Sequence, residues 1–147
     1  MITHYTQSLK SNNNVENVTF PQGPSRGEII AANHITSMKR EFHTQVFNYE
    51  LLGVNGDPLL FDFAVYLKNI PSMKFYFVEI DGPQHFKPIP DFGGEKTFII
   101  IKEHDRRKNQ FCKENGILLI RIPTYDYYRF ITPYHLSPEV SEFNMVG

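Results

Sequence analysis

Tryptophan is absent from this chain of 147 residues, and cysteine occurs once, as Cys112. A single thiol excludes an intrachain disulfide and a structural zinc site built from thiolates. No apolar run reaches the length needed to cross a bilayer. The first residues, Met1-Ile2-Thr3-His4, do not read as a signal peptide. A reducing intracellular setting, cytoplasmic or nucleoid-associated, is therefore expected, with no membrane partner. An excess of charge is lacking too. The formal net charge is −1, so the chain as a whole exerts no pull toward nucleic acid, and any DNA binding needs a local basic face. No Gly-rich phosphate loop, nucleophile elbow or paired-thiol motif is present.

What is present is aromatic. Thirteen Phe and eight Tyr give a chain of this length the material for one core in one domain. Residues 1–24 read as an N-terminal arm, with the turn-prone Ser11-Asn12-Asn13-Asn14 and the stiff Pro21-Gln22-Gly23-Pro24. Residues 25–126 read as the core domain, and 127–147 as a tail packed on it. That tail region carries Tyr127, Tyr128, Phe130 and Tyr134 just after Tyr125, and aromatic packing is the expected role there rather than base stacking.

Ser25-Arg26-Gly27-Glu28 has the form of a capping box and predicts a helix through Arg40. Ile29, Ala32, Ile35 and Met38 would form its apolar face. Glu28 either caps that helix only or also faces a site. Glu41 to Val54 predicts a strand, Asn55-Gly56-Asp57-Pro58 a turn, and Leu59 to Leu67 a second strand. Asp62 is the single charge in that second apolar run. A buried carboxylate is disfavoured unless it is hydrogen-bonded, protonated or bound to a cation.

The third strand ends in Phe77-Val78-Glu79-Ile80-Asp81, followed by Gly82-Pro83-Gln84-His85. Glu79 and Asp81 are two apart and share a face of the strand. An antiparallel pairing of the second and third strands lets Asp62 join them. Either these charges are a solvated strand end or they serve a hard cation such as magnesium, which takes oxygen ligands. Phe86 to Glu95 is a loop expected to border the site. A long helix is predicted from Lys96 to Asn115, with Gly116 as its terminating glycine. Phe98, Ile101, Asp105, Lys108, Phe111 and Cys112 share one face of it, an odd place for two charges. Lys102, Arg106, Asn109 and Lys113 form a basic ridge beside that face, ordinarily a solvated surface. Ile117 to Ile122 then reads as an apolar strand ended by Pro123, completing a parallel crossover.

The order is helix, three strands, helix, strand: an α/β fold with a mixed central sheet flanked by helices. It resembles the PD-(D/E)XK, or restriction-endonuclease-like, nuclease core over roughly residues 25–123. Glu79-Ile80-Asp81 stands where that superfamily has its (D/E)-x-K signature, with Asp81 in place of the lysine. The further segments Asp81-Gly82-Pro83-Gln84-His85, Glu103-His104-Asp105-Arg106-Arg107 and Leu119-Ile120-Arg121-Ile122-Pro123 resemble one subgroup. It includes the very short patch repair endonuclease and phage homing endonucleases with a Glu, Asp, His, Asp site.

The resemblance implies a magnesium-dependent DNA endonuclease, with manganese as a substitute ion. Its expected catalytic set is Glu28, Asp62, Glu79, Asp81, His85, Asp105 and Lys108. Asp62, Glu79 and Asp81 would be the metal ligands, while Glu28, His85 and Asp105 would hold or polarise metal-bound water. Lys108 would act as a compact charge on the phosphate. Arg26, Lys102, Arg106, Arg107 and Lys113 would grip the DNA backbone, fixing register without reading sequence. The alternative is a nuclease fold that no longer cuts and serves as a DNA- or protein-binding module. So short a chain has little room for a specificity domain, so a homodimer or a targeting protein is an expected partner.

Overall fold

A computed structural model describes residues 6–7, 25–68, 74–124 and 136–138. The elements in chain order are β1 (Thr6–Gln7), α1 (Arg26–Ser37), β2 (Phe42–Leu52), β3 (Pro58–Tyr66), β4 (Phe75–Asp81), α2 (Gly94–Glu114) and β5 (Leu119–Pro123). The strands form one sheet in the order β1-β2-β3-β4-β5. β1 to β4 pair antiparallel, and β5 pairs parallel to β4, with Phe77 opposite Leu119 and Glu79 opposite Arg121. The mixed-sheet α/β class expected from the sequence is the one observed. Thr6–Gln7 of the arm adds an edge strand to the sheet; the rest of the arm, and the Tyr- and Phe-rich stretch of the tail, lie outside the described residues. Among the described residues no helix is long and apolar enough to cross a membrane.

Two apolar layers sandwich the sheet. On one face Ala31, Ala32 and Ile35 of α1 pack with Phe42, Phe63, Val65, Tyr76, Val78 and Ile120, and Leu136 of the tail joins them. On the other face Phe111 and Cys112 of α2 pack with Val46, Phe61, Phe77 and Leu119. Phe61 stacks on Phe77 with ring centroids 4.0 Å apart. Alternation along β4 sends Val78 to the first layer and Phe77 to the second. By the same period, Glu79 and Asp81 project toward α2.

Several expectations need correction. Ile29 is 37% exposed, and Ala31 takes its place beside the expected Ala32 and Ile35 on the buried face of α1. Two small residues side by side allow closer approach to the sheet than an isoleucine would. α1 stops at Ser37, not Arg40, because Lys39 takes a left-handed backbone with φ of 58°. α2 starts two residues earlier than Lys96. Gly93, with φ of 89°, caps it, and a Cβ there would collide with the Thr97 side chain. Gly116, with φ of 64°, follows its last turn as expected.

One irregularity bears on the site. Gln45 lies opposite Asp62, between the paired residues Thr44–Phe63 and Val46–Phe61, and has φ of 52°. Phe63 belongs to the α1 layer and Phe61 to the α2 layer. Strict alternation would put both on one face, so β3 inverts its facing at Asp62, and β2 does the same between Phe42 and Val46. A left-handed glutamine costs on the order of 1–3 kcal/mol.

Candidate functional site

The β3–β4 ladder runs from Tyr66–Phe75 to Phe63–Val78 and then stops. The next opposed residues are Asp62 and Glu79. Here side chains replace the backbone bonds. The Asp62 N–H donates to Glu79 Oε1 at 2.7 Å, and the Ile80 N–H donates to Asp62 Oδ2 at 2.8 Å. The strands open, and each carboxylate fills the gap left in the opposite one. Glu79 Oε2 also accepts from Lys108 Nζ at 2.8 Å, in a pair whose side chains are 12% and 3% exposed. Lys108 reaches that point from α2, its ammonium 5.5 Å from the Phe61 ring centre.

Glu28 completes this half of the site from the first turn of α1. The capping box is formed: the Glu28 N–H donates to Ser25 Oγ, and Ser25 Oγ–H donates to Glu28 Oε1, both at 3.1 Å. Glu28 also feels the rest of the cluster. Its pKa is raised by burial, against the Ser25 hydrogen bonds, with repulsion from Glu79 adding. Burial and then the charges of Glu79 and Glu28 hold Asp62 well above the ordinary aspartate range, against the pull of Lys108 and the Ile80 N–H. Glu28 thus caps α1 and lies within electrostatic reach of Glu79 and Asp62.

The other half lies at the end of β4. Gly82 leaves the strand and Pro83–His85 forms one 3₁₀ turn, which brings His85 over α2. His85 Nδ1–H donates to Asp105 at 2.9 and 3.1 Å and lies 3.6 Å from Asp81 Oδ1. Asp81, His85 and Asp105 each offer a ligand atom, and these atoms all lie within 4.8 Å of one another. Burial pulls the imidazole down, but the hydrogen bond to Asp105 and the charges of Asp81, Asp105 and Glu79 outweigh it and hold His85 above its ordinary value. Asp105 is pushed up by burial, yet His85, Arg121 and Lys108 bring it below its ordinary value. Asp81 is raised, because burial with Glu79 and Asp105 outweighs Arg121 and His85.

The expected ligand trio is therefore divided between two adjoining halves. Asp62 and Glu79 stand in one with Glu28 and Lys108. Asp81 stands in the other with His85 and Asp105. Electrostatic contact runs between the halves, from Glu79 to both Asp81 and His85. Lys108 is bound to Glu79 rather than projecting toward solvent as a free charge.

The expected DNA grip is uneven. Lys102, Arg106 and Lys113 are exposed along α2. Arg106 and Arg107 both pair with Glu103, at 2.8 and 2.9 Å, and Arg107 also donates to the Leu52 carbonyl at 2.9 Å. Arg107 is thus a brace between α2 and the end of β2. Arg26 is exposed beside Glu28 at the start of α1.

Two site residues were not anticipated. Arg121 of β5 lies across the Asp81–Asp105 pair, and Asn109 of α2 accepts from its Nε at 2.8 Å. Arg121 is the one charge in an apolar strand, the same signal that Asp62 gives in β3. No family model, curated protein or solved structure matches this chain.

Proposed function

We propose that this chain is a metal-dependent DNA endonuclease of the PD-(D/E)XK kind, cutting or nicking duplex DNA. The observation that carries the reading is the meeting of Asp62 and Glu79 at the open end of the β3–β4 ladder, beside the Asp81–His85–Asp105 trio. The donor set fits a divalent cation. It is rich in carboxylate oxygen, which suits magnesium and manganese, and one imidazole is compatible with manganese. The charge balance fits as well. Five carboxylates, those of Glu28, Asp62, Glu79, Asp81 and Asp105, face two permanent cations, Lys108 and Arg121.

Asp62 and Glu79 in one half, and Asp81 and Asp105 in the other, are the residues that would hold magnesium, with His85 beside them. Bound there, the ion supplies positive charge to the phosphate and a more acidic water. The chain's own contributions follow from the contacts. Asp105 takes the Nδ1 proton of His85 as a hydrogen bond, which fixes the ring and leaves Nε2 as the nitrogen able to accept a proton from water. Lys108 orients Glu79 and holds its charge in a nearly buried position. Lys102 and Lys113 provide exposed cations for phosphates along α2, and Arg106 would join them by exchanging Glu103 for a phosphate.

A second reading has its own support. Lys108 and Arg121 already offset Glu79, Asp81 and Asp105, as they would in a nuclease fold kept only as a binding module. Incubation with supercoiled plasmid, with and without magnesium, decides between the two. The nuclease reading expects nicking that needs the ion and disappears in Asp62→Ala. If wild type and Asp62→Ala leave duplex, mismatched, branched and single-stranded substrates equally intact, the enzyme reading is lost.

A further inference from the structure

Arg121 has more contacts in the site than any role assigned so far requires. Its Nη1 lies 3.1 and 3.0 Å from the two oxygens of Asp81 and 3.4 Å from Asp105 Oδ1. Its Nη2 lies 3.4 Å from the Asp105 carbonyl, and its Nε donates to Asn109. The side chain is 14% exposed. The guanidinium therefore sits on both carboxylates of the trio whose ligand atoms converge within 4.8 Å. It cannot be discharged at any ordinary pH, so only movement can take its charge away.

We propose that Arg121 is a built-in counter-ion of the Asp81–His85–Asp105 trio, and that it competes with a divalent cation for Asp81. The inference rests on the metal-centre reading above. A dication bound to Asp81 would lie within a few ångströms of a permanent positive charge, and repulsion at that range is several kcal/mol even when well screened. Loading the trio then requires the guanidinium to leave Asp81. Asn109 and the Asp105 carbonyl are not ligand atoms of the trio, so the arginine stays tethered to α2 as it leaves. Tethered there, it is a cation poised for a phosphate diester. Metal and DNA would then favour each other: the phosphate takes the guanidinium, and the vacated carboxylate takes the ion. Such coupling is reciprocal by linkage.

The test is calorimetric titration of the full, metal-stripped chain with manganese alone. Arg121→Gln is expected to bind manganese at least about tenfold more tightly than wild type, since it removes the charge and keeps a hydrogen-bonding side chain. Arg121→Lys, which keeps the charge, is expected to stay within about threefold of wild type. Adding Asp81→Asn to Arg121→Gln should erase the gain. Equal or weaker binding by Arg121→Gln overturns the proposal, as does a gain that survives Asp81→Asn. Should circular dichroism show Arg121→Gln unfolded, Arg121→Met replaces it. It removes the charge and keeps the apolar stem, so manganese binding should again tighten about tenfold, and no gain there overturns the proposal equally. Plasmid nicking by the same proteins separates the two ideas. Tighter manganese binding without nicking in any variant removes the nuclease and leaves the counter-ion. Nicking by wild type with no gain in Arg121→Gln does the reverse.

Discussion

Replacing Lys108 by methionine isolates the buried ion pair on which the site's electrostatics turn. Lys108 Nζ and Glu79 Oε2 are 2.8 Å apart, with side chains 12% and 3% exposed. At an effective dielectric near 20 their attraction is about 6 kcal/mol before the cost of desolvating both ions. Methionine keeps most of the stem and its packing on Phe61 but leaves Glu79 unpaired, next to the carboxylates of Asp62 and Glu28. Burial is deep enough that solvent cannot take over the charge, so Lys108→Met should cost about 3–5 kcal/mol. Glu79→Gln in the same background removes the orphaned charge and still accepts the Asp62 N–H. The double variant should therefore recover about 2–3 kcal/mol relative to the sum of the singles. Urea unfolding of the four proteins, metal-free at pH 7, gives the cycle directly. A loss below about 1 kcal/mol for Lys108→Met would refute the reasoning, for it would mean that Glu79 does not depend on its partner.

Three other expectations follow from the same contacts. Asp62 has a folded pKa raised above 3.8, so it removes stability progressively as pH climbs from that value toward its folded one. Asp62→Asn should accordingly raise the urea midpoint at pH 7, leave it unchanged at pH 3, and abolish metal-dependent nicking; equal midpoints at pH 7 would contradict the burial argument. His85 has a folded pKa raised above 6.5, so its contribution is complete below pH 6.5 and is lost as pH rises through the folded value. In metal-free protein the imidazole should titrate by NMR above 6.5, and Asp105→Asn should move it downward; no movement would mean that the hydrogen bond is not the cause. Burial pushes the Cys112 thiol up to about 12, and its side chain is fully buried, so a disulfide reagent at pH 8 should label it only in denaturant. Labelling of the folded protein at the rate of a free thiol would show the α2 layer to be open.

The sequence was informative wherever a charge broke an apolar pattern. Asp62 stands alone in β3, Glu79 and Asp81 share a strand face, and Ser25 and Glu28 have capping-box spacing; each of these reads locally, and each lies where that local rule puts it. Arg121 obeys the same rule but is easily passed over, because Ile117–Ile122 otherwise reads as one apolar strand. Its partners depend on how β5 registers against β4, and α2 sets that register across the intervening crossover. The left-handed turn at Gln45 has no local signature at all. Glutamine does not favour it, and only the pairing of β2 with β3 around Asp62 demands it. Ile29 misled for the opposite reason: its spacing fits a helical stripe, whereas the buried face is decided by how closely two alanines let α1 approach.

Where the β3–β4 ladder opens, two main-chain amides, those of Asp62 and Ile80, are tethered by acidic side chains and not by carbonyls. Their solvent exchange is consequently a gauge of what the carboxylates are doing. An ion that draws the Asp62 or Glu79 oxygens away would free these protons to swap with deuterium, while the neighbouring amide of Phe77, held by the Leu118 carbonyl at 2.9 Å, would stay protected. Two peptide protons thus make this corner of the sheet its own indicator of occupancy, readable without substrate.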